Sequence, residues 1–194
     1  TTTIIESIGT YLPPKVVSTK EVLRACTRRI LFPLERLTGI RFRRMAGDSE
    51  FSIDLARTAI ENCLKRSEYE AEDIDLLICC NISRYDGPDF NYSFEPSTSI
   101  KLKRDLGLTN ALAFDISNAC AGMFTGVHAA DGYIKAGLAR RALVVSGEYI
   151  THLTRTAQRE IEGMSDSRLA CLTLGDSGVA VLLEKSASPE YGFQ

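Results

Sequence analysis

The chain has 194 residues, 44% of them hydrophobic, and a formal net charge of −2 with both signs interspersed: enough apolar material for a real core, and no basic surface for nucleic acid. Six cysteines, at positions 26, 63, 79, 80, 120 and 171, make no C-x-x-C pair, and the two histidines show no paired spacing, so no zinc or other metal site is expected. With no signal peptide, no long apolar span and no disulfide-like framework, the sequence predicts no membrane span and a reducing, cytoplasmic setting.

In chain order, Thr3 to Gly9 reads as an opening strand closed by a turn at Pro13-Pro14. Ser18-Thr19-Lys20-Glu21 is a capping-box pattern that starts a helix through about Cys26. Pro33 to Leu37 fits one or two helical turns before Thr38-Gly39. Ile40 to Met45 alternates apolar residues with Arg41, Arg43 and Arg44, which predicts a half-exposed strand with a solvated basic face. Ile53, Ala56, Ala59, Ile60, Cys63 and Leu64 fall on one stripe of an amphipathic helix. After an acidic linker, Ile74 to Cys80 is an almost continuous apolar run, the pattern of a strand buried on both faces. Cys79 and Cys80 are adjacent in it and should point to opposite faces. A long polar and aromatic loop, Asn81 to Phe94, precedes a helix that Glu95-Pro96 opens and Gly107 ends.

Ala111 to Ile116 is a short apolar strand, and Met123 to Ala136 is long enough for a helix that Gly137 ends. Between them lies Asn118-Ala119-Cys120-Ala121-Gly122. Cys120 therefore sits on a sharp strand-to-helix turn among residues too small to shield it. There it meets unpaired N–H groups and the positive end of a helix, which favour thiolate over thiol. Two readings follow from the spacing: a nucleophilic cysteine, or a small buried residue packed under the helix. Arg141 to Gly147 is a second buried strand; Glu148 to Arg168 has mixed periodicity and no assigned element. Leu169 to Leu174 and Gly178 to Leu183 read as two strands of a hairpin through Gly175-Asp176-Ser177. Asp176 is expected to cap its own turn and to play a structural role beneath the candidate site. The succession of strands and helices predicts an α/β layered domain with a mixed sheet, and no linker or repeat divides it.

The order of these motifs resembles a known family. Thr38-Gly39-Ile40-Arg41, the strand Asp75 to Cys80, Asp115-Ile116-Ser117-Asn118-Ala119-Cys120-Ala121-Gly122, Ala142 to Gly147 and Gly175-Asp176-Ser177-Gly178 look like the N-terminal half of a thiolase-superfamily condensing enzyme. The nearest group is beta-ketoacyl-ACP synthase III, and the match runs over nearly the whole chain. The resemblance implies a thiolase-like αβα half with helices on both faces of the sheet, and an acyltransferase of fatty-acid or polyketide-type biosynthesis. It implies Cys120 as the nucleophile, acylated by acyl-CoA or acyl carrier protein with no further cofactor, and a Claisen condensation with a second thioester. It also implies a homodimer. Family members carry a catalytic His, with Asn or a second His, in a C-terminal half that repeats the first; His128 and His152 do not match those positions. His128 falls about 12 Å along the helix from Cys120 at about 1.5 Å per residue. The expectation is therefore a nucleophile-bearing half that is inactive without a C-terminal half or complementary subunit.

Synthase III enzymes commonly place a Trp before the Thr-Gly-Ile-Arg segment, where it stacks on the CoA adenine. This chain has no Trp, and the matching position is Pro33. Glu95, after Phe94 in Phe94-Glu95-Pro96-Ser97, falls where the family's dimer-interface loop meets the partner's acyl pocket. Relatives that join two long acyl chains head to head, and hydroxymethylglutaryl-CoA synthases, use a glutamate from about this region as a base. Burial beside apolar residues would raise the pKa of such a base toward a useful value; the other reading of Glu95 is an acid complementing the helix dipole. Arg36 and Arg41 are candidates for a pantetheine or nucleotide phosphate, or for a solvated surface. Met123 and Phe124 are candidates for an acyl channel, or for core. The rival functions are head-to-head condensation of two long acyl-CoA molecules, a non-condensing partner subunit of a heteromeric synthase, and an unrelated cysteine hydrolase. The last is disfavoured by the lack of a Cys–His arrangement.

Overall fold

The computed structural model describes residues 2–87, 94–188 and 190–193. In chain order it forms β1 (Thr3–Tyr11), β2 (Lys15–Ser18), α1 (Thr19–Arg24), α2 (Leu34–Thr38), β3 (Phe42–Met45), α3 (Ser52–Leu64), β4 (Leu76–Cys79), α4 (Thr98–Asp105), β5 (Leu112–Asp115), α5 (Gly122–Lys135), β6 (Arg141–Glu148), α6 (Thr151–Glu160) and β7 (Ser177–Lys185). These fall into two compact units: Thr1–Tyr11, Phe51–Glu148 and Gly178–Gln194 form one, and Leu12–Glu50 with Tyr149–Ser177 the other. The chain crosses between units in short connections with no change of composition, which is why the sequence shows no linker.

The first unit is built on a five-stranded sheet ordered β1-β7-β6-β4-β5. β4 runs parallel to β5 and β6, with Leu76 opposite Leu112 and Ala142, while β1 pairs antiparallel with β7. The sheet is thus mixed, as expected. Period-2 alternation sorts the central strands between two cores. Leu77, Cys79, Leu143 and Val145 pack with Ala56, Ala59, Ile60 and Cys63 of α3 on one face. Leu76, Ile78, Cys80, Ala142 and Val144 pack with Ala130 and Ile134 of α5 on the other. Helices cover both faces, and Cys79 and Cys80 point to opposite sides. α3 lies unusually close to the sheet. A carbon added at Gly9, Gly147 or Gly178 would meet α3 at 2.7 Å from Cys63 Cα, 2.8 Å from Ala56 Cβ or 2.8 Å from the Leu55 carbonyl carbon. Only glycine lets these three strands receive the helix at that depth.

The predicted helix at Glu95-Pro96 begins later. Ser97 is its N-cap, accepting from Ile100 N–H at 3.5 Å, so α4 starts at Thr98 and Pro96 stays outside it.

The second unit holds the antiparallel pair β2–β3 and a small core of Val22, Ile30, Leu34, Ala157, Ile161 and Leu172. The capping box is present: Ser18 Oγ accepts from Glu21 N–H, and Glu21 Oε2 accepts from Ser18 N–H at 2.7 Å. Three expectations are corrected here. The apolar run at Leu169 is no strand: Ser167–Thr173 is a 3-10 helix begun by Asp166, which accepts from Arg168 N–H, and it turns Leu172 into the core. β7 consequently pairs with β1 rather than closing a hairpin. The basic strand is not wholly solvated: Arg43 is buried, its Nη2 donating to Thr19 Oγ1 at 3.0 Å and to the Leu172 carbonyl at 3.1 Å, and burial lowers its pKa. Asp176 does not cap its own turn. Buried at 2% exposure, it accepts from Ala46 N–H (2.8 Å), Ile150 N–H (2.8 Å), Thr151 N–H (2.9 Å) and Thr151 Oγ1 (2.6 Å), so it caps α6 from a distant part of the chain.

Candidate active site

The end of β5 leads directly to Cys120. Ile116 N–H donates to the Cys79 carbonyl at 2.8 Å, extending the parallel ladder by one step, and the chain then leaves the sheet. Ser117 to Ala121 are all exposed. Ala119 has φ +41°, a left-handed conformation that costs a residue with a Cβ about 1–2 kcal/mol. It opens a 3-10 turn, Ala119–Ala121, that passes into α5 at Gly122. Asn118 Nδ2 donates to Thr125 Oγ1 at 2.8 Å, and Thr125 Oγ1 donates to the Ala121 carbonyl at 3.1 Å, which ties the turn to the first turn of the helix.

Exposure singles out one thiol. Cys120 is exposed, Cys26 and Cys171 are half-buried, and Cys63, Cys79 and Cys80 are buried. Burial pushes Cys79 well above the ordinary thiol value and Cys80 up to about 12, so both remain protonated. The alternative reading of Cys120, a small residue buried under the helix, does not describe this chain.

Beneath and beside the elbow lies a polar frame that the sequence reading missed. Asp115, the last residue of β5, accepts from Ser99 N–H at 3.0 Å and forms a largely buried ion pair with Arg84 at 3.2 Å. The Arg84 guanidinium also lies 5.8 Å from the Phe94 ring centroid. Asp86 pairs with Lys101 of α4 at 3.0 Å. At the end of β6, the Glu148 carboxylate accepts from Ile82 N–H, Ser83 N–H (2.9 Å), Ser83 Oγ (2.7 Å) and Ser146 Oγ (3.3 Å), and burial raises its pKa. Buried Asn81 accepts from Gly147 N–H at 2.8 Å, bridging β4 to β6. The available signal was a polar residue directly after each continuous apolar strand, where parallel sheets gather their functional groups.

The other predicted residues are distributed as follows. Phe94 is 68% exposed, and Glu95 is exposed rather than buried within this chain; residues 88–93 of the predicted loop lie outside the described residues. Met123 packs against the sheet core, whereas Phe124 is 81% exposed, so the two divide between core and surface. Arg36 and Arg41 share an open cleft of about 610 Å³ in the second unit with Lys20, Phe32 and Pro33, and Arg41 lies 4.0 Å from Glu35. His128 is exposed on α5. His152 lies on α6, half-buried, with Nδ1 3.0 Å from the Tyr149 carbonyl and its pKa lowered by burial. Among the described residues no three potential metal ligands cluster, and no helix is long and apolar enough to cross a membrane.

The family model described as 3-oxoacyl-[acyl-carrier-protein] synthase III matches residues 114–194. A beta-ketoacyl-[acyl-carrier-protein] synthase III of Halalkalibacterium halodurans is 33% identical over 180 residues, 93% of this chain and 49% of that protein. The chain is similar to synthase III enzymes and has their thiolase-like fold. The crystal structure of the 3-oxoacyl-[acyl-carrier-protein] synthase III of Aquifex aeolicus superposes on the synthase III-like chain with a TM-score of 0.76 and 26% identity, over 96% of this chain and 55% of that one. A cerulenin-bound OleA of Xanthomonas campestris does so with a TM-score of 0.84 and 25% identity, over 96% and 58%. The synthase III-like chain thus spans about half the length of the relatives it matches. The family match begins on β5 and takes in the whole elbow.

Proposed function

We propose that this chain carries the acyl-accepting nucleophile of an acyltransferase that condenses acyl thioesters by Claisen chemistry, in fatty-acid or polyketide-type biosynthesis. The observation that carries this reading is the exposure of Cys120, alone among the six thiols, on a strained elbow at the start of α5. In the first step its thiolate attacks the carbonyl carbon of an acyl group on CoA or acyl carrier protein. The bond from that carbon to the carrier sulfur breaks, the carrier leaves as a thiol, and the acyl group stays on Cys120. In the second step a carbanion formed at the α carbon of another thioester attacks the acyl-Cys carbonyl, and the Cys120 thiolate departs. Two easier steps replace one difficult one. The Cys120 N–H, at the entry to α5, is the donor to the oxyanion that develops in each.

Around this nucleophile, Arg36 and Arg41 would hold a pantetheine or nucleotide phosphate in their cleft, and Phe124, rather than Met123, would meet the acyl chain. A complementary half or subunit would supply the His and Asn, so that the chain alone is inactive. Dimerisation would bring Phe94 and Glu95 to a partner's acyl pocket, where burial is gained. Exposed Glu95 beside Phe94, with Pro33 in place of the adenine-stacking Trp, favours as a second reading the head-to-head joining of two long acyl-CoA molecules with Glu95 as the base. The test incubates the intact protein with short and long acyl-CoA and follows the Cys120 peptide by mass spectrometry. An acyl adduct that Cys120→Ala abolishes is expected. No adduct in the complete assembly would overturn acyl transfer and leave a non-condensing subunit. For the second reading, Glu95→Gln should keep the adduct and lose condensation; undiminished condensation removes the base.

A further inference from the structure

We propose that Cys80, through its contact with Gly126, is a positioning residue that sets how deeply α5 seats on the sheet and hence where Cys120 stands; its functional meaning rests on the acyl-transfer reading above. Both ends of the exposed arch 117–121 rest on consecutive residues at the end of β4. On the strand side, Ile116 N–H is bonded to the Cys79 carbonyl at 2.8 Å. On the helix side, a carbon added at Gly122 would lie 3.0 Å from the Cys80 carbonyl oxygen and 3.6 Å from Cys80 Cβ. Cys80 itself has no slack: its N–H donates to the Val145 carbonyl at 2.7 Å, and the residue is 3% exposed.

One helical turn further, Gly126 faces the same residue. A carbon added there would collide with Cys80 Sγ, would lie 2.7 Å from Val144 Cγ1, and would come within 3.6 Å of Ile78 Cγ2. The sulfur sits one rotatable bond from the main chain of a residue only 3% exposed, so it can yield only by turning into occupied core. The helix therefore sits as low as the Cys80 sulfur and Val144 Cγ1 allow, and Cys80 supplies the nearest obstacle at both glycines of Gly122-x-x-x-Gly126. A larger group at either position lifts the leading end of α5 and with it the preceding turn that carries Cys120 and the N–H proposed to face the oxyanion. The buried thiol, held protonated, serves here as a spacer and not as a second nucleophile.

The test measures iodoacetamide alkylation of Cys120 in the intact protein, expressed by mass spectrometry as a ratio to Cys26 in the same sample. Cys26 lies in the other unit and reports any general loosening. Gly126→Ala is expected to lower the ratio about tenfold, the scale of a displacement below about 1 Å at a reacting group. Adding Cys80→Ala removes the nearest obstruction, leaving Val144 Cγ1 at 2.7 Å as a lesser one, and should recover at least about threefold of that loss. A parental ratio in Gly126→Ala, or a double variant as slow as the single one, overturns the proposal. If the single variant does not fold, the double variant decides: a folded protein within about threefold of the parent supports the proposal, and a slow or unfolded one overturns it. Acyl-CoA incubation separates the two ideas. A parent that alkylates as expected but takes no acyl group refutes acyl transfer and leaves the positioning result standing.

Discussion

Gly178→Ala tests the closest approach in the first unit. The new methyl would lie 2.8 Å from the Leu55 carbonyl carbon and 3.2 Å from Ala59 Cβ, and nearer still to the Leu55 oxygen. Carbon pairs prefer about 3.5–4.0 Å, so α3 must retreat by about 0.7 Å at the least. The obstacles are main-chain atoms of a helix, and no rotamer change can absorb the shift. Ala56, Ala59, Ile60 and Cys63, each fully buried against the sheet, would retreat together. A gap of 0.5–1 Å forfeits about a quarter to a half of each contact's attraction, and overpacking alone costs about 1–3 kcal/mol. The expected loss is about 3 kcal/mol. Urea unfolding followed by far-UV circular dichroism reads it as a lower midpoint with an unchanged slope, by about 1.5 M at a slope of about 2 kcal/mol/M. A change below about 0.5 kcal/mol would show that the helix does not ride on the glycines and would refute the reasoning.

Asp176→Ala strips the acceptor from three backbone N–H groups and a hydroxyl at a buried site, so a loss of about 4 kcal/mol is expected in urea unfolding; under about 1 kcal/mol would contradict its role as the α6 cap. Ala119→Gly relieves the left-handed strain, offset by a more flexible unfolded chain, and should stabilise by about 0.5 kcal/mol while slowing Cys120 acylation; destabilisation beyond about 1 kcal/mol would show that φ +41° is not strained there. For Glu148 the sign follows from its raised folded pKa: the native state keeps a proton that the unfolded chain has released. Its contribution is therefore full below the unfolded value and is lost as pH rises through the folded one. The stability of the parent relative to Glu148→Gln should shrink from pH 4 to pH 8 in urea titrations, and a difference that grows with pH would reverse the assignment.

The sheet was legible because its central strands obey one simple rule. Leu76 to Cys80 and Ala142 to Val145 are apolar without interruption, and both are buried on two faces. The elbow was legible because a run of small residues between a strand and a helix has few other uses. α6 was hidden because Thr151 and Thr154 take core positions with their hydroxyls bonded to Asp176 and to the Cys171 carbonyl, which leaves no apolar stripe. The run Leu169 to Leu174 misled for the converse reason. Apolar content alone cannot distinguish a short strand from a 3-10 turn, and the deciding cap came from Asp166. Arg43 reads as solvated in any alternating pattern; only the tertiary contacts with Thr19 and Leu172 bring it inside.

The elbow's sequence is better explained by geometry than by any chemistry its flanking side chains perform. Ala119 holds a backbone angle that a larger or branched residue would tolerate worse. Gly122 leaves little room for a carbon above the Cys80 carbonyl, 3.0 Å away, and Asn118 spends its amide on Thr125. None of these groups needs to touch a substrate to matter. Each limits how the main chain can pass from Asp115 to α5, and Asp115 is itself held by Arg84 and Ser99. A mobile loop could also expose a cysteine, but it would give up orientation, and orientation is the larger part of what a protein lends a nucleophile. Here the strain of about 1–2 kcal/mol at Ala119 persists because the arch is anchored on β4 at both ends, so that relaxing it requires lifting a helix from the core. That coupling places Cys120 by the same contacts that fold the sheet.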